Sequence, residues 1–245
     1  MRVTPSVIAV GMLLGPPVGG AGAEPIRSLV AGTITMAVTT AAPSSPYDPQ
    51  SWIRRYLERF AGENRLATAW VVVPFQGSWL RAGRDEVDLV ATNVARFPER
   101  VSAGATFSAP FLVERRALRI HADEKGRLAD IRDFVGRAVG VVKGTAAELD
   151  VRRRAPEGVA IVAAETFAEI YALFESGRLD AVAEAEYLTL DGRVIPSHGP
   201  EVRLVDLHDL VPGEREESVF VVRDRSANLL AALNRFIART RFPLE

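Results

Sequence analysis

The chain has 245 residues, and its 30 lysines and arginines nearly balance its 31 aspartates and glutamates, for a formal net charge of −1. A balanced charge provides no basic surface for nucleic acid or for an anionic membrane, so neither is an expected partner. The absence of cysteine excludes disulfides, thiolate metal ligands and a cysteine nucleophile. The three histidines are scattered without metal-ligand spacing, and we expect no metal and no cofactor.

The N-terminal segment predicts export from the cytoplasm. Arg2 precedes a short apolar stretch at residues 7–14, which a pair of prolines ends, and the Ala-Gly-Ala sequence at 21–23 fits a signal-peptidase site. A membrane anchor would need about 20 apolar residues without such interruptions. We therefore expect residues 1–23 to be a cleaved signal peptide. The mature protein would be periplasmic and not embedded in the membrane.

The first elements in chain order are a strand, a helix and two more strands. Residues 33–38 read as the first strand, and Asp48 is placed to cap a helix that has Pro49 at its first position. Large apolar side chains then recur at helical spacing as far as residue 62. Two further strands are predicted, with a short helical turn between them, at residues 69–73 and 87–92.

A second set of alternating elements follows. A short helix at 128–134 and a strand at 138–142 precede two helices that begin with Thr-x-x-Glu capping boxes, at Thr145 and at Thr166. Further strands are predicted at residues 180–183 and 218–222, and Ser226 is expected to cap the last helix. Alternating strands and helices indicate an α/β fold with mostly parallel sheets. A faint internal similarity between residues 80–91 and 174–183 favours two similar lobes over one continuous sheet.

Polar residues cluster where the predicted strands end. In open parallel sheets, ligands bind beyond the carboxyl ends of the strands, and free N–H groups at a helix start attract anions. An arginine can add a bidentate contact to a carboxylate. These rules select the following candidates, each of which has a purely structural alternative as a cap or a solvated charge: Thr92, Asn93, Arg100, Gly144, Thr145, Glu184 and Glu186.

Three short segments in order carry a resemblance to a known family. The sequence of residues 88–93, the Pro-Glu-Arg at 98–100 and the Phe-Ser-Ala-Pro-Phe at 107–111 resemble the signature of family 3 extracellular solute-binding proteins. These are the polar amino-acid receptors of ABC importers. The resemblance implies the type II periplasmic-binding-protein fold, with two lobes that close on a ligand by a hinge. The implied division is 1–23 signal peptide, 24–118 first lobe, 119–216 second lobe and 217–245 a return to the first lobe.

The resemblance also implies roles for individual residues. Arg100 matches the arginine that grips the ligand carboxylate, assisted by Thr92 and Asn93 and, from the second lobe, by Gly144 and Thr145. The acidic residue that normally neutralises the ligand's amino group is replaced by Ala185, between Glu184 and Glu186. The usual covering aromatic is not clearly in place, although Tyr47 could substitute for it. An ordinary α-amino acid is therefore in doubt as the ligand.

Three functions are compatible with these features. The leading hypothesis is a monomeric binding protein that captures a small carboxylate-bearing solute for an ABC-type permease and performs no catalysis. The second is an exported enzyme on the same scaffold, similar to cyclohexadienyl dehydratases, with Glu184 or Glu186 as general acid or base. The third is an accessory or sensory periplasmic protein that has lost ammonium-type ligand binding.

Overall fold

The computed structural model describes residues 24–41, 47–124 and 126–244. The predicted signal peptide lies outside these residues. The described part of the chain contains the following strands: β1 (Thr33–Val38), β2 (Ala67–Val72), β3 (Leu89–Ala95), β4 (Ala105–Phe107), β5 (Leu112–His121), β6 (Ala138–Val142), β7 (Ala160–Ala164), β8 (Ala181–Leu188), β9 (Val194–Ile195), β10 (Val202–His208) and β11 (Glu216–Arg223).

Its α-helices are α1 (Pro49–Glu63), α2 (Ala146–Arg154), α3 (Phe167–Glu175) and α4 (Leu229–Arg239). Asp48 caps α1 as predicted, because its carboxylate accepts the N–H of Gln50 at 2.8 Å. Thr166 and Glu169 form the predicted capping box at the start of α3. The predicted helix at 128–134 is a 3₁₀ helix limited to Ile131–Phe134. No helix among the described residues is long and apolar enough to cross a membrane.

The strands form one hydrogen-bonded sheet in the order β2-β1-β3-β11-β5-β8-β6-β7. The strands at each flank are parallel, as βαβ units require, whereas β11 and β5 in the middle run antiparallel to their neighbours β3 and β8. The first half of β5 pairs with β11 and its second half with β10, while β8 follows it along the other edge. The preference for two lobes over one continuous sheet is wrong only in its second part, because these long central strands join the two flanks in one hydrogen-bonded sheet.

Two apolar cores lie at the two ends of this sheet. One core joins α1 and α4 to β1, β3 and β11 around Tyr56, Phe60 and Phe236. Another joins α2 to β5, β6 and β8 around Phe134 and Val141. A helix from the chain's C-terminal end therefore packs with its first helix, which is the arrangement that a two-lobed fold with a returning C-terminal segment produces. The predicted lobe boundary at residue 118 falls within the central strand β5. The boundary at residue 216 falls at the start of the central strand β11.

The start of α4 differs from the prediction. Its N-cap residue is Asn228, with a φ of 67° and no side-chain cap bond, and not Ser226. The hydroxyl of Ser226 donates instead to the carboxylate of Asp88 at 2.6 Å. Asp88 is fully buried and also accepts the backbone N–H groups of Leu29 and Thr35. A buried carboxylate is stabilised by such donors, so the Ser226 hydroxyl bonds to Asp88 and does not cap α4.

Candidate functional site

A cavity of about 720 Å³ lies where the central strands meet the loops from both flanks of the sheet. Its wall includes residues that follow β1, β3 and β6, the first turns of α2 and α3, and inner positions of β5, β8 and β11. The ends of several strands and the starts of two helices thus surround one cavity, as they do at the ligand sites of open α/β sheets. Of the predicted residues, the cavity wall contains Tyr47, Thr92, Asn93, Arg100, Thr145 and Glu184.

Arg100 is buried in this wall and has no carboxylate partner within ion-pair distance among the described residues. Only 6% of the residue is exposed, and its guanidinium lies over the rings of Phe97, Trp79 and Phe75 at 4.7, 4.9 and 5.6 Å. Its Nη2 donates to the carbonyl of Gly144 at 2.7 Å, while its Nη1 has no hydrogen-bond partner in the described part of the chain. Burial lowers the pKa of Arg100 below its ordinary value. An arginine nevertheless stays charged, so this group is available to an anion.

The turn before α2 differs in detail from the predicted anion site. Gly144 has a φ of +79°, and its N–H donates to the Glu148 carboxylate at 2.7 Å. The Thr145 hydroxyl donates to the carbonyl of Val142 and accepts the N–H of Glu148. Glu148 thus binds Gly144 rather than completing the predicted capping box at Thr145. In this conformation the Gly144 N–H and the Thr145 hydroxyl are therefore engaged within the turn, and Gly144 faces Arg100 with its carbonyl.

Thr92 and Asn93 also have partners within the protein. The Thr92 hydroxyl shares a hydrogen bond of 2.8 Å with Ser78, and both residues are buried. Asn93 has a φ of 62°, a left-handed conformation that asparagine tolerates better than most residues. Its Nδ2 donates to Glu114 at 2.8 Å, while its Oδ1 has no hydrogen-bond partner among the described residues. The group of Asn93 without a partner is therefore an acceptor, whereas a ligand carboxylate would need a donor at this position.

A buried charge cluster that the sequence did not predict occupies the central strands. The guanidinium of Arg116 on β5 contacts both Glu114 on the same strand and Glu216 on β11, with a distance of 2.9 Å from its Nη2 to Glu216 Oε1. Both oxygens of Glu114 are used, since Oε1 accepts from Asn93 and Ser218 and Oε2 from Arg116. All three charged residues of this cluster line the cavity.

Glu216 differs from its neighbours in the cluster. Only 6% of the residue is exposed, and its carboxylate is ion-paired with Arg116 although neither oxygen accepts a hydrogen bond of good geometry among the described residues. Burial, together with the nearby charge of Glu114, raises the pKa of Glu216 to about 7, although Arg116 and Arg100 oppose this shift. The available sequence signal was the Glu-Arg-Arg run at 114–116 within the otherwise largely apolar β5, which predicts partners of opposite charge on the adjacent strands.

Glu184 and Glu186 on β8 have different surroundings. Glu184 is buried in the cavity wall, where its Oε2 lies 2.9 Å from Arg119 and accepts the hydroxyl of Tyr171. Its Oε1 has no hydrogen-bond partner in the described part of the chain. Glu186 is paired with Arg115, a half-exposed side chain, and is not part of the cavity wall. The structure therefore brings Glu184, and not Glu186, into the candidate site.

The rim of the cavity includes Tyr47 and Asp48. Tyr47 is 39% exposed, and Asp48 is the N-cap of α1. Burial raises the pKa of Asp48, and the hydrogen bond from the Gln50 N–H opposes this change. Among the described residues, no group of three or more histidine, aspartate and glutamate side chains is arranged to hold a metal ion.

Comparisons with known proteins identify the fold. No family model matches the sequence, and no curated protein matches it. An ancestral arginine-binding protein bound to arginine matches the structure with a TM-score of 0.65 at 20% identity, over 84% of this chain and 91% of that one. An amino-acid ABC transporter substrate-binding protein from Streptococcus pneumoniae, bound to L-arginine, matches with a TM-score of 0.64 at 15% identity, over 85% and 88%. The fold is that of the type II periplasmic binding proteins.

A third solved structure belongs to the same group. It is an ancestral amino-acid-binding protein described as a precursor of cyclohexadienyl dehydratase, with a TM-score of 0.65 at 19% identity, over 85% of this chain and 88% of that one. The cavity of this chain lies between the flank of the sheet that carries α1 and the flank that carries α2 and α3. The predicted fold class is therefore confirmed, including the cleft between the lobes.

Proposed function

We propose that this chain is an extracytoplasmic solute-binding protein that captures a small carboxylate-bearing solute for an ABC-type importer. The observation that carries the proposal is Arg100, a buried cation with one unpaired nitrogen, Nη1, in the wall of a cavity large enough for a small molecule. Burial of a charge without a partner is unfavourable, and a carboxylate from outside would remove this cost by a charge-assisted hydrogen bond.

The surroundings of Arg100 support selective binding rather than simple charge attraction. Three aromatic rings pack against the guanidinium and fix its plane, so the unpaired Nη1 is presented in one orientation. The bond from Nη2 to the Gly144 carbonyl links a residue that follows β3 with a residue that follows β6. Closure of the two lobes on a solute would form this bond, and opening would break it.

The proposal also includes the location of the protein, its oligomeric state and its partner. The mature protein is periplasmic, acts as a monomer, releases its solute unchanged and delivers it to a permease. A thermal-shift screen across amino acids, dicarboxylates, sugars and aromatic acids tests the proposal. At least one carboxylate-bearing compound should raise the melting temperature, since a ligand at 100 times its Kd adds about 2.7 kcal/mol of stability. A screen in which no such compound acts at millimolar concentration contradicts solute capture.

One observation favours a second candidate function, an exported enzyme on the same scaffold. Glu216 lies in the cavity wall, and burial raises its pKa to about 7, where a carboxyl can serve as a general acid or base at neutral pH. Nuclear magnetic resonance of the compounds recovered after incubation separates the two functions. A binding protein returns every compound unchanged, whereas an enzyme yields a product whose amount grows with time.

A further inference from the structure

An aromatic side chain from one flank of the sheet is part of the apolar core of the other flank. Phe75 lies in the loop after β2, the strand at one edge of the sheet, whereas β6 and β7 lie at the opposite edge. Only 5% of Phe75 is exposed, because it belongs to an apolar core around Ile170 and Phe174 of α3. Its ring makes an edge contact with Phe167, the first residue of α3, at a centroid distance of 6.2 Å.

A smaller apolar contact joins the two flanks at a second place. Ala95, at the end of β3, and Phe97 are its members from the flank that carries α1. They pack with Ala146, the first residue of α2, and with Leu210, between β10 and β11. The carbonyl of Leu210 accepts a hydrogen bond of 2.6 Å from Arg153, which fixes this residue to α2.

The polar contact between the flanks is covered by the same aromatic rings. The guanidinium that donates to the carbonyl of Gly144 belongs to Arg100, and it lies over the rings of both Phe75 and Phe97. A hydrogen bond that is shielded from water is stronger than one exposed to it. Separation of the flanks would break this bond and expose both rings to water, which is unfavourable.

We propose that an apolar clasp holds the two flanks together before any solute is bound. The clasp consists of the following residues: Phe75, Ala95, Phe97, Ala146, Phe167 and Leu210. Facing polar groups need a solute to supply their partners, whereas these apolar side chains are partners for each other. The open form is then a minor state, and the opening that it requires slows the entry of solute.

This inference deepens the proposed function, and its test measures the distance between the flanks without any solute. Because the chain has no cysteine, Glu58→Cys on α1 and Leu149→Cys on α2 provide two exposed positions for spin labels. The labelled protein is unfolded and refolded to remove any bound solute. Pulsed electron paramagnetic resonance then measures the distances between the labels. We expect one narrow distribution, with less than about 10% of the protein in an open form.

The substitution Phe75→Lys should open the clasp. It places a charge in an apolar core and beside Arg100, whose guanidinium carbon lies 5.6 Å from the centroid of the Phe75 ring. The main distance between the labels should become longer, with the open form in the majority. Val71→Lys is the matched control, because it adds the same charge to the same flank at a side chain that is 37% exposed. It should leave the distribution unchanged.

Two results with these variants would overturn the inference. One is a folded Phe75→Lys variant that keeps the narrow distribution, and the other is a Val71→Lys variant that opens to the same extent. The labelled protein that retains Phe75 gives a result that does not depend on either variant. A broad distribution with a longer main distance in that protein contradicts the clasp. Since no solute is used, a thermal-shift screen in which nothing binds would contradict the proposed function and leave the clasp in place.

Discussion

Arg100 donates from Nη2 to the carbonyl of Gly144 at 2.7 Å, which joins two residues that follow different parallel strands on opposite flanks of the sheet. Both residues were candidates for contact with a ligand carboxylate. In this conformation they contact each other, and the N–H of Gly144 is held by Glu148. The contact thus joins the two flanks at the cavity, while Nη1 of Arg100 has no hydrogen-bond partner among the described residues.

The close approach at Gly144 gives a prediction about closure. A Cβ atom built on Gly144 would lie 3.0 Å from the Cα of Gln76, in the loop after β2. Overpacking of this kind costs about 1 to 3 kcal/mol, and only the closed form would bear it. Gly144→Ala should therefore lower the affinity for the solute found in the screen by roughly 5- to 150-fold, as measured by calorimetry.

Gly177→Ala is the matched control for this change. Gly177 has a similar left-handed φ of +71°, yet nothing lies within 4 Å of the position of its Cβ. Both substitutions introduce the strain of a left-handed alanine, about 1 kcal/mol, but only the one at Gly144 meets a neighbouring backbone. Equal affinities in the two variants would show that closure does not require the contact at Gln76.

The two glutamates of β8 should differ in their effect on stability. Glu184→Ala leaves Arg119 in the cavity wall without its carboxylate, and breaking a buried pair in this way costs about 3 to 5 kcal/mol. Glu186→Ala frees Arg115, whose side chain is 38% exposed, and should cost about 1 kcal/mol. Urea unfolding of both variants at constant m-value measures the difference. Similar losses would mean that Arg119 has another anionic partner.

The pH dependence of stability should report the buried state of Glu216. Its pKa is about 7 in the folded protein, above its ordinary value of 4.5, so folding takes up a proton between these values. The stability that this proton contributes is fully present below pH 4.5 and is lost as the pH rises through 7.

Between pH 4.5 and 7 the wild type should therefore lose about 3 kcal/mol relative to Glu216→Gln. Denaturant unfolding of both proteins across this range measures the difference. A difference in unfolding free energy that stays constant with pH would contradict the raised pKa.

Local signals in the sequence were sufficient for the elements at the flanks. The capping residues Asp48 and Thr166 have the predicted roles, and β1 and β6 have the predicted bounds. These features depend on residues a few positions apart, and the physical chemistry of a helix start is local.

The central strands and their charges were harder to predict. β5 carries three adjacent charged residues at 114–116, including the buried Glu114 and Arg116, so its pattern does not resemble a buried strand. Their partners come from β11, about a hundred residues later, and no short-range pattern connects them. For the same reason Ser226, which has the sequence of a cap, could not be assigned to the buried carboxylate of Asp88.

The most direct test of solute capture is calorimetry on Arg100 variants with the carboxylate-bearing compound that gives the largest thermal shift. Arg100→Ala should weaken its binding about a hundredfold or more, since loss of one partner of a buried charge pair costs about 2 to 5 kcal/mol. Arg100→Lys should recover only part of the affinity, because an ammonium cannot make the paired contact. Arg96→Ala, which removes an exposed side chain paired with Glu217, should bind as wild type. If folded Arg100→Ala binds the compound as tightly as wild type, the account of this site is wrong.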